Sequence, residues 1–109
     1  MPKQVLLPKS ILEKLPNLYE TDGQGDAAVA QVKFFTPDSQ WTWYATEFNP
    51  KTGVFFGLVV GFETELGYFS LQELQAATGP LGLPIERDEH FKPTALGEIK
   101  KQVAEARAC

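Results

Sequence analysis

The chain has 109 residues, which is enough for one domain with one modest hydrophobic core. Its 43% hydrophobic residues argue against intrinsic disorder, because such a chain can bury enough apolar surface to offset the entropy lost on folding. The net charge of −4 argues against a generic DNA or RNA binder, since the average field of the protein repels phosphate groups. We therefore predict a single α+β domain over residues 1–109 that does not bind nucleic acid directly.

The cysteine content and the apolar runs bear on cellular location. The only cysteine, Cys109, can form neither an intramolecular disulfide nor a cysteine metal cluster, which favours a reducing compartment. The first apolar run, residues 5–7, is far shorter than the core of a signal peptide. The run at residues 54–62 is also much shorter than the roughly 20 residues of a membrane helix. These features predict a cytoplasmic protein without a membrane span.

The first predicted element is a short helix. Residues 9–15 follow Pro8, which suits a first helical turn, and their apolar positions have helical spacing. A polar, glycine-bearing loop over residues 21–26 comes next. The apolar positions of the helix are Ile11, Leu12 and Leu15.

Four strands are predicted after this loop. Each segment is rich in β-branched or aromatic residues, and the segments between them carry residues that favour turns. The nearly continuous apolar run of the third segment indicates a central strand. The four segments are residues 29–36, 41–48, 54–62 and 66–70.

Two further helices complete the predicted fold. Ser70 and Glu73 fit a capping box at the start of a helix over residues 71–78, which Gly79 would end. A third helix is predicted over residues 95–106, and residues 85–91 are expected to form an edge strand or to run extended. The apolar stripe of the third helix consists of Leu96, Ile99, Val103 and Ala106.

Together these elements predict an α+β fold. Its sheet is a four-stranded antiparallel meander, with the N-terminal, middle and C-terminal helices packed mainly on one face.

The sequence also resembles a known family. The string Trp-Thr-Trp-Tyr-Ala-Thr-Glu-Phe at residues 41–48 is similar to one in small bacterial proteins grouped as a domain of unknown function, the DUF2958 family. The resemblance covers about residues 6–96 and implies no activity, substrate or catalytic residue. It implies an association with mobile genetic elements. The other matching segments are residues 15–19, 32–37, 56–59, 65–70 and 82–88.

Two neighbouring aromatic residues are candidates for a binding surface. Trp41 and Trp43 share one face of the predicted second strand, because side chains alternate along a strand. Exposed aromatic rings on a sheet can stack on nucleic-acid bases, but aromatic residues more often anchor a core. We favour core packing for both residues.

The other face of the same strand is a candidate ligand site. Thr42, Tyr44 and Thr46 could form hydrogen bonds with a small ligand above Gly57 and Gly61 of the next strand. These glycines leave one face of that strand shallow, where another main chain or an aromatic ring could also lie close. The alternative is a half-solvated sheet face with cross-strand threonines, which we favour. Glu47 is placed by alternation on the tryptophan face, where it could pair with Lys33, lie at the strand end or act as a functional carboxylate.

The remaining chemical candidates are weak. His90 ends a charged tract at residues 86–90, but a catalytic metal site needs about three converging ligands, so a polar surface is the favoured interpretation. The glycines of the loop at residues 23–26 lack the context of a phosphate-binding loop. We predict no catalytic residue, no metal site and no cofactor.

The function predicted from the sequence is therefore non-catalytic. We expect a binding or interaction protein of a mobile genetic element, which acts on a host or element protein through a surface that includes the polar sheet face. One alternative is a small-ligand or nucleotide-binding domain that uses Thr42, Tyr44, Thr46, Glu47 and Gly57. Another is a small hydrolase that uses Glu47 or His90.

Overall fold

The computed structural model describes residues 4–21 and 23–107. The predictions about Cys109 therefore concern a residue outside the described ranges. The predicted α+β class with antiparallel sheets is confirmed. None of the described helices combines the length and the apolar content needed to cross a bilayer.

The described residues form ten strands and α-helices and a short 3-10 helix. The strands are β1 (Val29–Ala30), β2 (Val32–Phe35), β3 (Thr42–Asn49), β4 (Val54–Val60), β5 (Thr64–Ser70), β6 (Glu86–Arg87) and β7 (Thr94–Ala95). The α-helices are α1 (Lys9–Leu12), α2 (Leu71–Ala76) and α3 (Leu96–Arg107), and the 3-10 helix is Gly25–Ala27.

The main sheet has five strands rather than four. Its order is β5-β4-β3-β2-β6, and all of its neighbouring strands are antiparallel. The predicted first strand divides at Gln31, whose amide donates to the Ala45 carbonyl, while β1 leaves to pair with β7. The predicted meander is thus present as β2 to β5, and β6 extends it. The prediction that the third segment forms a central strand is confirmed, since β4 lies in the interior of the sheet between β3 and β5.

The sheet is covered on both faces, which corrects the prediction that the helices pack mainly on one. Phe34 and Phe55 belong to a core cluster that includes Leu74 of α2 and residues of α1. Leu58 and Val60 point the other way and pack against Ile99 of α3. The predicted apolar stripe of α3 is buried or half-buried at Leu96, Ile99 and Val103, but Ala106 is exposed.

An irregularity in β3 changes which way its last side chains point. Ala45 lies opposite Gly57, but Glu47 rather than Thr46 lies opposite Phe56, so one extra residue interrupts the pairing. The bulge moves Glu47 off the tryptophan face on which strict alternation had placed it. Thr46 is fully buried at the bulge, where its hydroxyl donates to the Phe56 carbonyl.

The helices are shorter than predicted or shifted. The first ends at Leu12 rather than at residue 15, and α2 ends at Ala76 because Ala77 is already extended. Gly79 is therefore not its stop. The start of α2 is as predicted, since the Ser70 hydroxyl accepts a hydrogen bond of 2.9 Å from the Glu73 amide.

This cap gives a first testable prediction. Ser70→Ala should lower the free energy of unfolding by about 1 kcal/mol, because the Glu73 amide loses its partner at the helix start. Urea denaturation of the two proteins measures the difference. Ser70→Thr keeps the acceptor oxygen and serves as the control, and an equal loss in both variants would contradict the role assigned to the cap.

Candidate functional site

Three aromatic side chains form an exposed shelf at one end of the sheet. Trp41 stacks on Trp43 with ring centroids 6.2 Å apart, and Phe62 meets Trp41 edge to face at 5.8 Å. Phe62 is 91% exposed and Trp41 is 37% exposed, while Trp43 is half-buried against the core. Core packing, the favoured interpretation, therefore holds for Trp43, whereas Trp41 lies at the surface. We call Trp41, Trp43 and Phe62 the aromatic shelf.

Two turns hold the shelf in place. The buried Thr36 forms two hydrogen bonds with the main chain of Trp41. Its amide donates to the Trp41 carbonyl, and its hydroxyl accepts from the Trp41 amide. Gly61 lies under the indole of Trp41, where an added Cβ would overlap the ring. The Gly61 amide donates to the Glu63 carbonyl, and Arg107 of α3 donates to the Gly61 carbonyl at 2.6 Å. The ring positions thus depend on main-chain contacts.

Two carboxylates border the shelf. Glu63 and Glu65, together with Trp41, Val59 and Phe62, line a concave surface of about 300 Å³. Strand register places Trp43, Val59 and Glu65 in one row on the same sheet face. A hydrogen bond to the Glu63 side chain and, secondly, repulsion from its charge raise the pKa of Glu65. Two adjacent acids beside exposed rings are a suitable environment for a cation.

The outer side of β5 is a long open edge. Seven residues of β5 pair with β4 without a register shift, and no other described strand lies beyond it. The Leu71 amide donates to the Gly53 carbonyl, and the Gly61 amide donates to the Glu63 carbonyl, so the odd-numbered residues of β5 face β4. The amides and carbonyls of Thr64 and Leu66 therefore point outward. Leu66 is also 50% exposed.

The opposite edge of the sheet is closed. Gln4 donates to the Arg87 carbonyl at 3.0 Å and accepts from the Arg87 amide at 2.5 Å, so its side chain takes the place of a further strand. The charged tract predicted at residues 86–90 lies here and lines a groove of about 740 Å³. Of the ion pairs at this tract, one lies within it and the other joins it to Lys33 of β2. The two ion pairs are Lys33 with Asp88 at 3.7 Å and Arg87 with Glu89 at 3.6 Å.

Other parts of the protein lie close to Tyr44 and Gly57 of the predicted ligand site. Tyr44 is half-buried, packs on Phe91 at 5.8 Å, and has Lys33 over its ring. Burial and, to a lesser degree, the charge of Asp88 raise the pKa of Tyr44. At Gly57 an added Cβ would overlap the carbonyl oxygen of Tyr44, so main chain fills the space left by the missing side chain. Thr42 is half-buried opposite Val60.

Glu47 is buried, and its carboxylate accepts hydrogen bonds from the loop that follows α1. It is 2% exposed, and its carboxylate accepts hydrogen bonds from the Tyr19 amide at 3.0 Å, the Thr21 amide at 2.7 Å and the Thr21 hydroxyl. Tyr19 has a φ of 73°, a left-handed conformation that is uncommon for a residue other than glycine. The predicted partner Lys33 pairs with Asp88 instead. Glu47 therefore fixes the loop that follows α1.

Metal ligation finds no support in the part of the chain that is described. No three His, Cys, Asp or Glu side chains within residues 4–21 and 23–107 are grouped so that they could hold a metal ion. His90 is exposed, and its main-chain amide donates to the Asp88 carboxylate at 2.9 Å.

Sequence reasoning missed three residues of this surface, namely Phe62, Glu63 and Glu65. Phe62 was assigned to the end of an apolar strand, and the two glutamates were assigned to a turn. The prediction that a ring or main chain could lie close to Gly61 and Gly57 is confirmed, since the Trp41 ring lies against Gly61 and the Tyr44 main chain lies against Gly57.

The chain was compared with known proteins. A family model described as a protein of unknown function, DUF2958, matches residues 6–108. No curated protein and no solved structure matches the chain. The family resemblance predicted from the sequence is therefore confirmed, and it extends to residue 108.

Proposed function

The chain belongs to the DUF2958 family, and we propose that it is a non-catalytic protein-binding domain that takes up an extended segment of a partner along β5. The contrast between the two sheet edges carries this proposal. Gln4 closes the edge at Arg87, whereas no strand among residues 4–21 and 23–107 pairs with the outer side of β5. A sheet edge with outward amides and carbonyls is a template for pairing with another chain.

The composition of β5 supports the same conclusion. Proteins blunt exposed edges with charged side chains, lysine above all, or with proline, bulges or very short strands. The residues of β5, Thr-Glu-Leu-Gly-Tyr-Phe-Ser, include one charged residue, Glu65, but neither lysine nor proline, and the register with β4 is continuous. Main-chain hydrogen bonds to such an edge provide affinity, while alternate side chains select the sequence that binds. Strand addition is therefore the binding mode that this edge favours.

The alternative functions receive less support from the described contacts. A hydrolase would need a carboxylate that substrate can reach, and Glu47 accepts three hydrogen bonds inside the protein. A small-ligand site beside Tyr44 would compete with Phe91 and α3. The role in a mobile genetic element, which the family resemblance implied, stays a prediction.

A proline at position 66 tests the proposal. The Leu66 amide points away from β4, so Leu66→Pro keeps the pairing of β5 with β4 but removes a donor from the outer edge. Peptides selected from a random displayed library against the wild-type protein should bind this variant at least about tenfold more weakly. Fluorescence anisotropy with the labelled peptides measures the change in Kd.

Leu66→Thr is the matched control, because threonine suits a strand and keeps the outward amide. It should lose only the contact of the leucine side chain, a change of about threefold or less in Kd. Selected peptides that bind Leu66→Pro as tightly as the wild type would place binding elsewhere and refute strand addition at β5.

A further inference from the structure

We propose that the partner segment carries an arginine or lysine at the position opposite Glu65, directly after an apolar residue opposite Leu66. This inference rests on the proposed function, because it specifies the chemistry of the segment that pairs with β5. Its evidence is separate, since it comes from the two carboxylates and the aromatic shelf rather than from the open edge.

The strand register fixes the order of these two partner residues. Every strand pair in the described sheets is antiparallel, so we take the added strand to be antiparallel to β5. Its main chain pairs with the outward groups of Thr64 and Leu66. In an antiparallel pair, the partner residue that follows the one opposite Leu66 lies opposite Glu65. The two partner side chains then point to opposite faces of the sheet.

The charge on each face identifies these side chains. Leu66, half exposed, offers an apolar neighbour on one face. On the other face Glu65 lies beside Glu63, and the concave surface that they line contains no basic residue. Neighbouring strands are about 4.8 Å apart, a distance that an extended arginine side chain can cross. A guanidinium there would relieve the repulsion between the two acids and lie at the rim of the aromatic shelf.

A second copy of the chain fits this site poorly. Strand β5 contains no lysine or arginine, so its own copy supplies no cation opposite Glu65 in any register. Pairing two copies would leave the carboxylates of Glu63 and Glu65 without compensation, in a chain whose net charge is already −4. The charge complementarity therefore favours a basic partner of different sequence.

The test is a selection from a displayed library of random dodecapeptides against the wild-type protein, keeping only peptides that lose binding to Leu66→Pro. We expect these peptides to share a basic residue directly after an apolar one. Changing that basic residue to glutamine should weaken binding roughly tenfold. The same selection against Glu65→Lys should yield an acidic residue at this position. Glu20→Lys makes the same charge change at an exposed position in the loop held by Glu47, at the other end of β3, and should leave the selected pattern unchanged.

The outcomes separate this inference from the proposed function. Two outcomes would overturn the inference and leave strand addition intact. The peptides that lose binding to Leu66→Pro could lack the basic residue, or the selection against Glu65→Lys could yield the same residue at this position as the selection against the wild type. Failure to obtain any peptide sensitive to Leu66→Pro would overturn the proposed function itself. A wild-type dimer in light scattering that Leu66→Pro dissociates would identify a second copy as the occupant and overturn the basic partner.

Discussion

Replacing Glu47 by alanine is expected to lower the free energy of unfolding by about 3 kcal/mol, the loss expected when a charged acceptor leaves buried donors without a partner. The carboxylate is almost fully buried and accepts three hydrogen bonds, two of them from the main-chain amides of Tyr19 and Thr21. Alanine would leave these amides unsatisfied and open a gap in the sheet. It would also release Tyr19 from its left-handed conformation.

Urea denaturation measures this loss, and amide hydrogen exchange locates it. Exchange at Tyr19 and Thr21 should accelerate more than exchange in the centre of the sheet, because these amides lose their acceptor directly. Glu63→Ala removes an exposed carboxylate of the same size class and should change stability by less than about 0.5 kcal/mol. Equal losses in the two variants would show that Glu47 does not hold the loop.

The sequence predicted those features of the fold that depend on near neighbours. The helix start at Ser70 was recognised because Glu73 lies three residues away and makes the capping contact. The positions of β3, β4 and β5 followed from their composition and from the turns between them. Both kinds of signal are local, and both are confirmed within a few residues.

The contacts of Glu47 could not be predicted, because they depend on residues far away in the chain. Its carboxylate oxygens accept hydrogen bonds from amides that lie 26 and 28 residues earlier in the chain. The bulge that orients the side chain toward these amides cannot be recognised in the string Ala-Thr-Glu-Phe. Strict alternation therefore put the side chain on the wrong face. The sheet face against which α3 packs was wrongly predicted for a similar reason. An apolar stripe shows that one side of a helix is buried, but it does not show which sheet face covers it.

The candidate site was recognised in part. Trp41 and Trp43 were identified as a pair because they are two residues apart on one strand. Phe62 and Glu65 were missed because only the pairing of β3, β4 and β5 brings them to the same end of the sheet. The open edge at β5 was missed because strand order is a property of the whole sheet.

Substituting alanine for Gly57 is the second change with a large expected effect, a loss of about 3 kcal/mol in the free energy of unfolding. The added Cβ would overlap the Tyr44 carbonyl oxygen and lie 2.9 Å from the Tyr44 carbonyl carbon. Both atoms belong to the main chain, so neither can move without shifting β3. The bulge begins in the same row, since Ala45 lies opposite Gly57.

Gly67 provides a matched control in the same row of the sheet, because it lies opposite Gly57 on β5. Nothing lies within 4 Å of a Cβ built there, so Gly67→Ala should be neutral or stabilise the protein by up to about 1 kcal/mol. Thermal unfolding should separate the two variants clearly, since 1 kcal/mol shifts the Tm of a chain of this size by about 4 to 8 °C.

If both alanines were tolerated equally, the strands would not be in close contact at Gly57, and space for a ligand beside Tyr44 would have to be reconsidered. A loss confined to Gly57→Ala would instead show that this glycine serves the close contact between β3 and β4.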